Sequence, residues 1–137
     1  AIDALRAGTD EHDAGTATRL QLLAMLLTRQ GDQSAADTAW QSAAEIGDEL
    51  ASYEWARILL NRGEFSQAWP FLNRAFSSDD VSIAARAWLV MGQLELQIGD
   101  AQKAAEWLAR VVASNVEDLV PIALNLLEEV GARGEEA

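Results

Sequence analysis

Residues able to carry acid–base, nucleophilic or metal chemistry are few in this chain. Its single histidine, His12, stands in "DEHD" among acids, the kind of cluster that could hold a metal ion. A metal site needs further ligands at matched spacing, and no second histidine occurs one helical turn away. A solvated loop is the simpler reading of residues 9–16. There is no cysteine, so neither a thiol nucleophile nor a disulfide framework is available. No glycine-rich phosphate loop occurs, and no spaced Asp/Asn/Gly run followed by Glu is present to wrap calcium. Nucleophile–base pairs are therefore hard to assemble. The expectation is a protein without catalytic residues, metal or cofactor.

Carboxylates are abundant, 22 acids against 10 bases, for a net charge of −12. Such a surface repels phosphate backbones, so nucleic acid is not an expected partner. Many of the acids (Asp32, Asp48, Glu49, Glu64, Asp79, Asp80, Asp100, Glu117 and Asp118) fall where helices are expected to begin. There they oppose the positive end of the helix dipole, each worth ~0.3–1 kcal/mol. The richest apolar run, "LQLLAML" from Leu20, is far shorter than the ~20 residues that span a bilayer. Direct membrane insertion is not expected.

The elements that carry these residues are helical by composition. Ala, Leu, Glu, Gln and Arg dominate, alternating β-branched runs are absent, and only two prolines occur in 137 residues. A repeat organises them. "RQGDQSAADTAWQSA", "NRGEFSQAWPFLNRA" and "QIGDAQKAAEWLARV" align on Gly31, Gly63 and Gly99, at spacings of 32 and 36 residues. Five residues past each glycine stands Ala36, Ala68 or Ala104; nine past, Trp40, Leu72 or Leu108; twelve past, Ala43, Ala75 or Val111. Seven before each stands Ala24, Ala56 or Gly92, and eight before, Leu23, Trp55 or Met91.

One physical unit accounts for this pattern. Glycine closes a first helix in a left-handed conformation, and the acid or a following Ser (Ser34, Ser66) begins a second. The alanine lets the two backbones approach, and the large residue one turn later fills the space beyond. First helices are expected at about 16–30, 48–62 and 82–98, second helices at about 34–46, 66–77 and 102–114. A seventh runs about 118–130, capped by Asp118 with Pro121 in its first turn, and ends at Gly131.

These motifs resemble the tetratricopeptide repeat family, whose unit is about 34 residues long. The similarity covers residues 16–131, and the repeats are divergent. Leu27, Leu59 and Glu95 stand where the family usually has an aromatic, and Asp48, Asp80 and Val116 where it has a closing Pro. The helix-pair reading holds equally for a neighbouring helical-repeat family. The resemblance implies an all-α, right-handed solenoid of three antiparallel pairs plus a C-terminal capping helix. Residues 1–15 then form a polar segment or the end of a preceding repeat, with "IDALRAG" as a candidate helix. Residues 132–137 form a polar tail or the start of a further repeat.

On the first helices, the side away from the packing stripe (Leu20, Leu23, Ala24 and Leu27 in the first unit) carries Thr18, Gln21, Met25 and Arg29. Its equivalents are Leu50, Tyr53, Arg57 and Asn61, then Arg86, Leu89, Gln93 and Gln97. No acid occurs among these twelve. The resemblance implies that this side lines a concave groove for a peptide or protein segment. Arg29, Arg57 and Arg86 suit carboxylates through paired hydrogen bonds, and Met25, Leu50, Tyr53 and Leu89 would add apolar contact. An acidic or amphipathic segment is the expected ligand. The alternative is an assembly domain that packs against itself or other domains.

Tryptophans Trp40, Trp55 and Trp88 fall at packing positions, and Trp69 and Trp107 are also expected in the core. Glu95 occupies a packing register, where it calls for an open edge or a partner such as Arg74 or Arg110.

Overall fold

The computed structural model describes residues 9–136, with side-chain surroundings described for residues 15–132. Among the described residues the chain is all-helical, without strands. The segment "IDALRAG", residues 2–8, lies outside them. The chain divides into two compact units, Ala1–Arg74 and Ala75–Ala137.

The first unit holds α1 (Thr9–Arg29), α2 (Gln33–Ile46), α3 (Glu49–Asn61) and most of α4 (Phe65–Phe76). Helix α2 packs on α1 and α3. Alanines make these approaches: Ala24, Ala36, Ala43 and Ala56 are completely buried, as is Ala68 on α4. Trp40, Trp55, Leu59 and Leu72 fill the space around them. The turn between α1 and α2 is built as the Gly-Asp spelling requires. Gly31 turns left-handed (φ 84°), the Asp32 N–H returns to the Leu27 carbonyl at 2.9 Å, and the Asp32 carboxylate accepts from the Ala35 N–H. The same device recurs at a place outside the repeat register. Gly47 closes α2 (φ 109°), and Asp48 caps α3 by accepting from the Ala51 N–H at 2.8 Å.

The second unit holds α5 (Val81–Ile98), α6 (Ala101–Ser114) and α7 (Val120–Glu136). Helix α6 packs on α5 and α7, and α5 also touches α7. Ala85, Leu89, Leu108, Val111, Leu119 and Ala123 form the core, flanked by Trp88, Val112, Val116 and the α7 leucines. Closest approach is at Gly92, where a Cβ would stand 2.8 Å from Leu108 Cδ2. Glycine is needed there because α5 lies directly on the Leu108 side chain.

Several expectations require correction. Residues 9–16, expected as a loop, belong to α1; Asp10, Glu11 and Asp13 stand near its N-terminus, where acids favour helix. Helix α7 does not stop at Gly131 but continues through Gly134 to Glu136; each glycine costs only ~1 kcal/mol, and Ala132, Arg133, Glu135 and Glu136 are good helix formers. The aspartates directly after the glycines are the caps, while Ser34 lies inside α2. Asp118 does not cap α7; its carboxylate accepts from Arg86. Leu23, placed in the packing stripe, is 46% exposed, and Trp69, placed in the core, is 51% exposed. Trp40 and Trp55 are buried as expected, and Trp88 and Trp107 half-buried. Glu95 is half-buried without an ion pair among the described residues.

Candidate recognition faces on the first helices

In the first unit, a polar contact ties α1 to the start of α3. Gln21 donates its Nε2 to Asp48 Oδ2 at 2.7 Å, and Asp48 is also the cap that starts α3. This bond brings the expected site residues of α1 and α3 into one neighbourhood. Met25 and Arg29 are exposed on α1; Leu50 is half-buried on α3, and Arg57 and Asn61 are exposed. Tyr53, expected to contact a ligand, is instead buried at 7% exposure with the Arg57 guanidinium 5.5 Å above its ring. Arg57 also reaches Glu54 at 3.4 Å. Arg29 makes no ion pair among the described residues.

In the second unit, Gln93 and Gln97 are exposed on α5 and Arg86 is half-exposed. Leu89 is buried in the core at 9% exposure, not presented to a ligand. A leucine one helical turn past Ala85 follows the buried stripe of α5 inward, because α7 as well as α6 packs on that helix. Arg86 bonds Asp118, just before α7, at 3.2 Å. The apolar character of these faces therefore rests on Met25 and Leu50, and their charge on three arginines. Two of the three already hold a carboxylate of their own chain. Both carboxylates are partly solvated, and such pairs contribute only ~0–1 kcal/mol, so a ligand carboxylate can replace them.

Sequence reasoning missed a second use of arginine. Arg62 lies 5.5 Å from the Trp55 ring and pairs with Asp37. Arg74 lies 5.9 Å from Phe71, and Arg110 lies between Trp88 and Trp107 at 5.9 and 5.1 Å. Trp88, Arg110, Val81, Ala113 and Ser114 line a shallow apolar depression. The signal was legible: Tyr53/Arg57, Phe71/Arg74 and Trp107/Arg110 are three or four residues apart, the spacing that stacks neighbours on one helix face.

Among the described residues no group of His, Asp and Glu side chains is arranged to hold a metal, and no helix is long and apolar enough to cross a membrane. His12 and its acidic neighbours lie outside the residues whose side chains are described. No family model matches the chain, and no curated protein sequence does either.

Proposed function

We propose that this chain is a non-catalytic interaction module, a right-handed tetratricopeptide-like array that binds a peptide or protein segment on the exposed face of its first helices. One observation carries the reading. In a chain with 22 acids, the twelve face positions hold none, and three of its 10 bases stand there. Arginines on these faces, one without an ion pair among the described residues and two in partly solvated pairs, favour an acidic or amphipathic segment. Burial of the repeated small register (Ala36, Ala68 and Ala104) and of the large one (Trp40, Leu72 and Leu108) supports the stacked-hairpin architecture, which exposes one side of each first helix.

Within this reading Arg29, Arg57 and Arg86 hold ligand carboxylates. Gln21, Asn61, Gln93 and Gln97 hydrogen-bond its backbone, and Met25 and Leu50 supply apolar contact. Tyr53 and Leu89 support the face from beneath. Arg57 stands 5.5 Å from the Tyr53 ring centroid, and a ligand carboxylate would replace its solvated partner Glu54. The test is the triple variant Arg29→Ala/Arg57→Ala/Arg86→Ala in a titration with the natural binding segment, recovered by pull-down and mapped. We expect at least a tenfold loss of affinity, since each charge-assisted bond contributes ~1.5–3 kcal/mol. Unchanged affinity would remove these residues from the binding face.

A further inference from the structure

In the second unit, a cation is held by aromatic rings instead of a counter-ion. Arg110, exposed on α6, stands 5.1 Å from the Trp107 ring and 5.9 Å from the Trp88 ring. It makes no ion pair among the described residues, although Glu106 stands one turn earlier on the same helix and Asp80 caps α5. The rings are themselves fixed. Trp88 donates its Nε1–H to the Phe76 carbonyl at 3.1 Å, and the Phe76 ring stands 5.7 Å from that of Trp107. Phe76 is the end of α4 that falls within the second unit.

Arg110 forms one corner of the apolar depression whose other walls are Val81, Trp88, Ala113 and Ser114, a hollow of about 320 Å³. Val81 is 49% exposed at the start of α5 and Ala113 is exposed near the end of α6, so the hollow opens to solvent. Its polar atoms other than the guanidinium are already engaged. Ser114 Oγ donates to the Val111 carbonyl and accepts from the Val116 N–H, and the Trp88 indole N–H is held by Phe76.

An apolar hollow with one cationic corner suits a ligand with an apolar body and a single carboxylate. The volume lies at the small end of the ~300–1,000 Å³ of ligand clefts, which suits a compact acid. A peptide fits less well, because its backbone amides would be covered by a wall with no further donor or acceptor to offer. An aromatic body gains from Trp88, since ring pairs attract beyond the area they bury. We propose that this hollow binds a small free aryl carboxylate, its carboxylate on Arg110 and its ring against Trp88 and Val81. None of these residues belongs to the proposed segment-binding face, so either reading can fail without the other.

Hydrocinnamate is the probe, titrated into the isotope-labelled 137-residue chain and followed by the indole N–H signals of Trp88 and Trp107 and the amides of residues 110–114. Its uncharged amide, hydrocinnamamide, is the comparison, and circular dichroism melting checks that each variant is folded. We expect saturation with a Kd of about 1 mM or below, shifts confined to the second unit, and about fivefold weaker binding of the amide, as for loss of an ion pair at a solvated site. Arg110→Gln should bind acid and amide alike, at the affinity of the amide. Ala113→Asp, at an exposed position three residues past Arg110, supplies an internal carboxylate that competes for the guanidinium. It should weaken binding of the acid and spare that of the amide. Arg57→Gln, in the first unit, should change neither. A parent without saturable shifts at the hollow in tens of millimolar acid overturns the proposal. So do equal affinities of the parent for acid and amide, or an Arg110→Gln protein that still prefers the acid. A tripeptide ending in Phe that binds more tightly than hydrocinnamate would also overturn it, assigning the hollow to peptide carboxyl termini.

Discussion

Replacing Gly92 by Ala sets two known effects against each other at one position. Alanine in a helix interior is favoured over glycine by ~1 kcal/mol through backbone entropy. Against this, the new Cβ would stand 2.8 Å from Leu108 Cδ2 and 2.9 Å from its Cγ, closer than carbon atoms tolerate. Leu108 is fully buried, with Ala85, Val111 and Leu119 in the same core, and its Cγ is a branch point, so a terminal methyl rotation does not relieve the contact. Overpacking of a close-packed core costs ~1–3 kcal/mol, and steric contact at the branch carbon puts this site in the upper half of that range. We expect Gly92→Ala to destabilise the second unit by ~1–2 kcal/mol after the helix gain is deducted. Leu108→Ala alone should cost ~2–5 kcal/mol through the cavity it leaves. In the double variant the added methyl partly fills that cavity, so the two losses should fall short of additivity by ~1 kcal/mol or more. Urea unfolding followed by the fluorescence of Trp88 and Trp107, with the tryptophans of the first unit replaced by Phe, measures all four corners of this cycle. A Gly92→Ala protein more stable than its parent would mean that helix propensity dominates and that α5 and α6 are not in such close contact. Strict additivity would refute the Gly92–Leu108 contact itself.

Two further substitutions probe the first unit. Asp48→Ala removes both the cap of α3 and the acceptor of Gln21, and should cost ~1–2 kcal/mol in chemical denaturation; Asp48→Asn, which keeps an acceptor oxygen, should recover most of it. Arg74→Met removes donors 2.9 Å from the Ala44 carbonyl and 2.9 Å from Ser52 Oγ, the latter on a completely buried residue. It should cost ~1–3 kcal/mol; both bonds come from the one Nη1, so Arg74→Lys, whose Nζ also carries several N–H donors, should restore part of that loss.

The helices were legible because their punctuation is local. A Gly-Asp pair states where one helix ends and the next is capped, and the structure uses it at Gly31, Gly47 and Gly99. The small and large registers were legible because close helix approach admits few residue types; Ala36, Ala68 and Ala104 all prove completely buried. Side chains at the margin of the packing stripe were harder to assign. Leu23 and Leu20 lie on neighbouring sides of α1, and only the position of α2 decides which of them is covered. Tyr53 and Leu89 share the periodicity of the exposed face but are drawn inward. A guanidinium covers one, and a second neighbouring helix covers the other. Ion pairs between distant residues, such as Arg86 with Asp118 or Arg62 with Asp37, leave no spacing signal at all.

Binding on the first helices is best tested by isotope-edited NMR of the 137-residue chain, titrated with the captured segment. We predict amide and side-chain shifts concentrated on α1, α3 and α5, with the Arg29, Arg57 and Arg86 guanidinium signals among the most displaced. Shifts confined to α2, α4 and α6 would contradict recognition by that face and assign it to the second helices.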